Sequence, residues 1–258
     1  MKRTISIVSS ITICIIALII FYRYQQNNTL ETLTVGMMSG YPPFMTINPT
    51  GDFEGFDVDV AQEIARKLNK KLVIKDMSLA SLLLALQQNK IDLVLSGLSI
   101  TKIRQEKMAM IHYYGKPRLM GNLVFWKSAP SISTIEDLKS YPSAVIAVEP
   151  GSWQEDFLVQ YPFLQLKNLS AMSEIIMDLK YGKSFAAFLD PDIVPSLQSQ
   201  YPELKVVEIP LTDAYKSAGC GIAINKDNKA LTSALDRITT ELKQDGTLKR
   251  LEAQWFKE

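Results

Sequence analysis

The chain has 258 residues, of which 47% are hydrophobic and 21% are charged, an ordinary composition for one large or two modest globular domains. Its 28 basic and 27 acidic side chains nearly cancel, which argues against nucleic acid or an anionic membrane surface as the partner. With one histidine and two cysteines that lack metal-ligand spacing, the sequence predicts no metal site, and we expect no cofactor.

An apolar segment at the N-terminus stands apart from the rest of the sequence. Lys2 and Arg3 precede an uncharged run over residues 5–22, and Arg23 follows it. The pattern predicts an export signal or a membrane anchor over residues 1–28. Both readings stay open, because the run carries no evident small-residue cleavage motif and lies near the lower length limit for crossing a bilayer.

The sequence from residue 31 to residue 104 alternates between predicted strands and helices. Apolar residues recur with helical spacing over 57–68, and short apolar runs bounded by polar residues indicate strands. The predicted order is strand 32–35, helix 57–68, strand 72–74, helix 78–88 and strand 91–95. Such an alternation is typical of a sheet with helices on both faces.

A second set of strands and helices follows after residues 113–117. Its predicted elements are strand 123–126, a short helix 134–138, strand 144–148, helix 172–181 and strands 185–189 and 206–209. A glycine-bearing apolar stretch at 218–224 indicates a return crossing, and helices 230–242 and 246–255 then pack on the first set. We therefore expect an α/β fold of two lobes, with residues 31–115 plus 220–258 in the first lobe and 119–216 in the second.

Residues 95–104, the most informative segment, run from an apolar strand end into a helix start. Thr101 is a good N-cap, which places Arg104 in the first helical turn. A cation at that end is poorly placed for the helix alone, because the helix dipole is positive there. With the Ser99 hydroxyl and nearby main-chain amides, however, the guanidinium can hold a carboxylate. An isolated Thr-x-x-Arg is more often a solvated surface arginine, so the wider context decides.

Further motifs occur in a fixed order along the chain. They are Tyr41-Pro42-Pro43-Phe44, the stretches at 51–59 and 86–94, and Ser99-Ile100-Thr101-x-x-Arg104. Through these motifs the chain resembles the polar-amino-acid-binding proteins of bacterial ABC importers, which have the type II periplasmic-binding-protein fold. The resemblance covers about residues 31–258, and within that family the chain is most similar to arginine-binding proteins.

The resemblance implies a periplasmic, monomeric protein that captures an amino acid, with arginine favoured, in the cleft between two lobes. Such a protein presents its ligand to an ABC permease in the inner membrane and has no catalytic residues. The two lobes would hinge on crossings near residues 115–119 and 217–221.

The resemblance also assigns ligand contacts to the ends of predicted strands, where open α/β sheets bind their ligands. Arg104 would pair with the ligand α-carboxylate, helped by Ser99 and the backbone at Gly97. From the second lobe, the carboxylate would be approached by the amides of Gly151, Ser152 and Trp153.

Two further positions carry expected contacts and a competing reading each. Asp190 stands where the family grips the ligand α-ammonium, because a buried charge without a partner is costly. Asp190 before Pro191 also suits a turn, so a purely structural role stays open. Tyr41 stands where the family stacks an aromatic ring on the ligand side chain, and packing on the neighbouring prolines is its alternative.

Departures from the family pattern bear on specificity. Leu79 stands where an aromatic residue is common, and Met38 stands where basic-amino-acid binders often carry an acid, which argues against lysine. Glu149 is expected to supply the missing negative charge, with a surface glutamate as its alternative. Trp153 either walls the cleft or packs against the core. Asp57 is expected to act structurally, as an N-cap or first-turn acid.

Two other classes of function stay open at this point. The type II fold also hosts cyclohexadienyl dehydratases, in which a cleft carboxylate acts as acid or base, and Glu149 or Asp190 could play that part. The third class is a sensor or surface ectodomain held by the N-terminal segment.

Overall fold

The computed structural model describes residues 30–256, which form two five-stranded sheets flanked by helices, together with a short hairpin. The export signal or anchor predicted over residues 1–28 lies outside this range. Between residues 30 and 256, no helix combines the length and the apolarity that a bilayer crossing requires. The same part of the chain holds no group of three or more His, Cys, Asp or Glu side chains placed to bind a metal.

The first sheet takes four of its strands from the first half of the chain. In chain order the elements are β1 (Thr32–Met37), β2 (Thr46–Ile47), β3 (Phe53–Glu54), α1 (Phe56–Lys67), β4 (Lys71–Asp76), α2 (Leu79–Gln87), β5 (Leu93–Val94), α3 (Lys102–Lys107) and β6 (Ala109–Tyr114). β1 pairs in parallel with β4 on one side and with β5 on the other. This confirms the predicted alternation of strands and helices.

The second sheet is built from the middle of the chain. Its elements are β7 (Met120–Trp126), a 3-10 helix (Ile135–Ser140), β8 (Val145–Val148), α4 (Trp153–Leu158), β9 (Gln165–Asn168), α5 (Met172–Lys180), β10 (Ala186–Leu189), α6 (Val194–Gln200) and β11 (Leu204–Pro210). The strand order is β11-β7-β10-β8-β9. β7 runs antiparallel to both β10 and β11. β8 runs parallel to β10 and to β9, so the carboxyl ends of β8 and β10 lie at one edge.

The chain then returns to the first sheet, as the sequence predicted. β12 (Cys220–Ile224) inserts antiparallel between β5 and β6 and completes the order β4-β1-β5-β12-β6. The last helices, α7 (Lys229–Gln244) and α8 (Thr247–Trp255), pack against α1 of the first set. The strands thus fall within the two predicted lobes, whose exact boundaries stay a prediction.

Apolar side chains at strand and helix positions fill the space between the layers. Leu33, Val35 and Met37 of β1 are buried, and α1 buries Ile64 on the face that the sequence predicted. One buried cluster joins the first sheet to one face of the second. The other face of the second sheet carries its own cluster, which includes the rings of Phe125, Phe157 and Phe188.

Two chain segments cross between the sheets side by side. The N–H of Arg118 donates to the carbonyl of Ser217 at 2.8 Å, and the N–H of Ser217 donates back to Arg118 at 3.0 Å. Gly219 in the return crossing has a φ of +105°, and a Cβ there would come within 2.7 Å of the His112 ring and the Tyr114 carbonyl. Glycine is therefore required at this point, where the backbones approach closely.

Besides the short hairpin strands β2 and β3 and the helix α4, the sequence analysis missed β6, β9 and α6. β6 carries polar His112 in its middle, β9 is a four-residue strand with polar ends, and α6 has Pro195 in its first turn. Each lacks a clear apolar period, which is the signal that a prediction from sequence depends on.

Candidate ligand-binding site

The ends of strands from both sheets meet around one small cavity. Tyr41 follows β1, Gly97 follows β5, Glu149 follows β8 and Asp190 follows β10, as expected for a site at the carboxyl edges. The cavity has a volume of about 20 Å³. Six of the nine predicted ligand contacts line it: Tyr41, Gly97, Arg104, Glu149, Trp153 and Asp190.

Arg104 is placed in this cavity by the helix cap that the sequence predicted. Thr101 Oγ1 accepts the Arg104 N–H at 3.3 Å and starts α3. The Arg104 residue is only 6% exposed, so the reading of a solvated surface arginine is wrong. Its Nη1 donates to the carbonyl of Ser99 at 3.2 Å, the single side-chain hydrogen bond that Arg104 makes within the described residues.

The positive charge of Arg104 is buried without an ion pair. Across residues 30–256, the salt bridges involve other side chains. Burial lowers the pKa of Arg104, while the negative charge of Asp190 opposes that shift. A buried cation with no partner is costly, so the cavity favours a ligand that brings a carboxylate.

Asp190 faces the same cavity with a carboxylate held by three donors. Its Oδ2 accepts from Ser99 Oγ at 2.5 Å and from Trp153 Nε1 at 3.1 Å. Its Oδ1 accepts the N–H of Asp192 at 3.1 Å, which is the turn that the sequence allowed. The turn therefore orients a carboxylate that is 4% exposed and lines the cavity, and the contact of Asp190 with a ligand ammonium stays a prediction.

Glu149 lines the cavity as a half-buried carboxyl group. Within the described residues its carboxylate accepts no hydrogen bond. Burial raises the pKa of Glu149 to about 8, and the positive charge of Arg104 opposes the shift. Near neutral pH this side chain therefore holds a proton, and a positively charged ligand group beside it would favour release of that proton to the solvent.

Two aromatic side chains wall the cavity. Trp153 is buried, donates to Asp190, and packs edge-on against Phe188 with ring centroids 5.8 Å apart. It therefore contacts the site and the core at once. Tyr41 is also buried, and burial followed by the charge of Asp190 raises the pKa of its hydroxyl. Neither ring carries a charge that would compete with a ligand.

The backbone at Gly97 is held in place by a buried acid. Asp57 Oδ2 accepts the Gly97 N–H at 2.8 Å, and Asp57 Oδ1 accepts the Tyr113 hydroxyl at 2.5 Å. Asp57 lies in the first turn of α1, as predicted, but the N-cap is Gly55. Its burial raises its pKa to about 7 in spite of these hydrogen bonds. The structural role expected for Asp57 is thus to fix one wall of the cavity.

Three of the nine predicted contacts lie beside the cavity rather than in its wall. The hydroxyl of Ser99 donates to Asp190, and Ser152 caps α4 by accepting the Glu155 N–H at 3.1 Å. The Gly151 N–H donates to Glu155 Oε2 at 2.7 Å. A Cβ on Gly151 would lie 3.2 Å from the Cα of Ala80 in α2, so this glycine lets the second sheet approach the first.

Five residues that line the cavity were not among the predicted contacts. Met38 and Leu79 appeared in the sequence only as departures from the family pattern. Ser96 accepts the Met38 N–H at 3.2 Å, next to Gly97. Their positions at strand ends and helix starts are the signal that could have found them. The five are Met38, Leu79, Ser96, Leu98 and Gln154.

The cavity has room for about one water molecule, so a larger ligand could enter only if the sheets moved apart. Three contacts between the sheets hold it shut. Ser99 donates to Asp190, the Cys220 thiol donates to Asp192 Oδ2 at 3.5 Å, and Lys107 Nζ lies 3.9 Å from Asp156 Oδ2. A larger surface cavity of 330 Å³ beside Leu84 and Met108 lacks such a convergence of buried charge.

Comparison with known proteins gives one consistent result. The sequence profile of the bacterial extracellular solute-binding proteins, family 3, matches residues 33–258. The chain is 31% identical over 229 residues to a probable ABC transporter arginine-binding protein, ArtJ, of Chlamydia trachomatis, covering 89% of this chain and 87% of that protein.

Solved structures agree with the sequence comparison. An ancestral arginine-binding protein bound to arginine superimposes with a TM-score of 0.76 and 30% identity, over 87% of this chain and 98% of that one. An ancestral arginine-binding protein bound to glutamine gives the same TM-score and identity, over 88% and 98%. The type II architecture expected from the sequence is therefore confirmed.

Asp57 is predicted to make stability depend on pH. Its folded pKa of about 7 lies above its ordinary value of 3.8, so its contribution is fully present below about pH 4 and is lost as the pH rises through about 7. In urea unfolding, the part of the stability loss that is due to Asp57 should be on the order of 2–4 kcal/mol from about pH 4 to about pH 8, and Asp57→Asn should remove that part of the slope.

The control for this measurement is Asp52→Asn, which changes an exposed aspartate on the hairpin. It should keep the wild-type pH dependence, to which Glu149 also contributes with the same sign. An unchanged slope in Asp57→Asn would show that the buried carboxyl is not the titrating group.

Proposed function

The chain belongs to the bacterial extracellular solute-binding proteins of family 3, and on that premise we propose that it captures an amino acid, with arginine favoured, for an ABC importer. The observation that carries this proposal is the pair of buried opposite charges in one cavity. Arg104 and Asp190 both line it, and they form no ion pair with each other.

This arrangement is complementary to the two ends of an α-amino acid. The ligand carboxylate would take the free donors of the Arg104 guanidinium, and its ammonium would donate to Asp190. Each buried protein charge would then have a partner, which offsets the cost of desolvating it. A simple monocarboxylate or a simple amine would leave one of the two charges unpaired.

Arginine is favoured by the remaining walls of the cavity. Glu149 can accept the N–H groups of a guanidinium, and the faces of Tyr41 and Trp153 can pack against its plane. A compact ammonium gains less from flat walls, and Met38 leaves no second acid nearby. The relatives named for arginine support the same choice. The ancestral protein bound to glutamine indicates that glutamine is the main competing ligand.

Binding rather than catalysis is the function of this chain. The family is one of solute-binding proteins, and the relatives reported above carry binding-protein names. The carboxyl group of Glu149, which a dehydratase would use as acid or base, serves here as a ligand contact.

The setting of this function is proposed on the same basis. The family is extracellular, and we infer export to the periplasm through residues 1–28, either cleaved or retained as an anchor over 5–22. The protein would act as a monomer in which residues 31–115 plus 220–258 close against 119–216. In the closed form it would present the ligand to the permease in the inner membrane.

Arg104→Ala is predicted to abolish amino-acid binding while leaving the fold intact. The ligand carboxylate would lose its charged partner inside a desolvated cavity, at a cost of about 2–5 kcal/mol in binding free energy. Isothermal titration calorimetry with arginine measures the loss. Arg66→Ala is the matched control, because Arg66 is exposed and pairs only with Glu63. Equal affinity in wild type and Arg104→Ala would contradict the proposed pairing of Arg104 with the ligand carboxylate.

Glu149 is predicted to make arginine affinity depend on pH. Arginine binding requires the ionised carboxylate, so affinity should rise as the pH increases from about 6 through about 8, with proton release in that range. Glutamine, which has no side-chain charge, should show little of this dependence. Calorimetry in buffers of different ionisation enthalpy measures the released proton.

The matching variant is Glu149→Gln, which keeps the shape of the side chain. It should reduce arginine affinity by about 1–3 kcal/mol, reduce glutamine affinity less, and abolish proton release. Equal losses for both ligands would show that Glu149 does not contact the arginine side chain.

A further inference from the structure

We propose that Arg118 is a positioning residue for the ammonium end of the site, because it neutralises Asp192 and so leaves the negative charge of Asp190 available to the ligand. This inference rests on the proposed function for the identity of the ligand. It concerns a residue outside the cavity wall, on the crossing between the two sheets.

The geometry connects Arg118 to the site through one backbone turn. Arg118 Nη2 forms a short ion pair with Asp192 Oδ1. The N–H of Asp192 donates to Asp190 Oδ1 at 3.1 Å, so any movement of Asp192 moves the carboxylate that faces the ligand. Arg118 Nε is buried without a partner in the described chain, which leaves Asp192 as the anionic contact of this guanidinium.

The two carboxylates need a cation because both are buried and stand two residues apart. Burial and the neighbouring charge of Asp190 both raise the pKa of Asp192, and the Arg118 guanidinium opposes that shift. The other contact of Asp192, the Cys220 thiol at 3.5 Å, is a weak donor and carries no charge. Arg118 is therefore the cation that compensates the negative charge of Asp192 beside Asp190.

The remaining titratable groups around the two carboxylates do not replace Arg118. Tyr41 and Glu149 face Asp190 from the cavity, and Tyr114 faces Asp192 from β6. None of these is a cation. Arg104 also faces Asp190, but in the proposed complex it pairs with the ligand carboxylate.

Because Arg118 lies on the crossing, its ion pair with Asp192 can persist while the sheets close. Its backbone is paired with Ser217 in the return crossing, close to the axis about which the sheets would separate. Asp192 lies in the turn that follows β10 of the second sheet. The ion pair would therefore keep the Asp190 carboxylate oriented in the open form as well, before the Ser99 hydroxyl of the first sheet donates to it.

Calorimetry on four variants tests this role, with arginine and its des-amino analogue, 5-guanidinopentanoic acid, as probes. Arg118→Met should weaken arginine binding about tenfold or more, whereas the analogue, which has no ammonium, should change less than about threefold. Arg118→Lys should retain most of the affinity. The double variant Arg118→Met/Asp192→Asn should regain arginine affinity, because it removes both charges of the pair. Arg66→Met is the surface control.

The outcomes separate this inference from the proposed function. Equal losses for both probes, or a double variant as weak as Arg118→Met, would reduce Arg118 to a structural ion pair and overturn the inference. If the wild type binds none of the twenty amino acids, the proposed function fails, and the inference is decided by carboxyl carbon NMR without ligand. Arg118→Met should then raise the pKa of Asp192 above its wild-type value, because the opposing charge of Arg118 is gone, and identical titrations of Asp192 would overturn the inference.

Discussion

Two opposite charges buried in one cavity without touching each other are the constraint on which the rest of this structure depends. Arg104 and Asp190 come from different sheets, and each would be costly to bury alone. Their separation is maintained by partners that occupy their flanks: the carbonyl of Ser99 for Arg104, and the Ser99 hydroxyl and Trp153 for Asp190. In the proposed complex, a zwitterion would complete this arrangement, because it would supply both missing charges at once.

The fold produces that arrangement by simple means. Parallel strands in each sheet end at one edge, so a loop after β5 and a loop after β10 meet when the sheets face each other. A threonine cap turns Arg104 inward, a buried aspartate holds the Gly97 loop, and a glycine at 151 lets α2 approach. Arg118 and Ser217 pair where the two crossings run side by side, and we expect a small rotation there to open the cavity.

Much of the site could be predicted because its signals are local in sequence. The cap at Thr101 and the strand ends before Glu149 and Asp190 are short-range patterns, and together with the family resemblance they led to six residues that do line the cavity. The contacts that join distant residues could not be predicted in this way. Ser99 was expected to face the ligand carboxylate and instead donates to Asp190, 91 residues away.

The same limit applies to two buried acids. Asp57 reads as an ordinary first-turn acid, and only the fold shows that it holds Gly97, 40 residues away. The pairing of Arg118 with Asp192 spans 74 residues and has no periodic signal. Among the elements, α6 was missed because Pro195 reads as a loop residue, although proline is tolerated in the first turn of a helix.

The most direct test of the proposed amino-acid site is calorimetry on the wild-type protein with three ligands that share one side chain. Arginine carries both charged ends, agmatine lacks the carboxylate, and 5-guanidinopentanoic acid lacks the ammonium. Because each analogue leaves one buried charge unpaired, each should bind at least about 30-fold more weakly than arginine, which corresponds to about 2 kcal/mol. Binding of either analogue within a few-fold of arginine would contradict the assignment of Arg104 and Asp190 to the two ends of the ligand.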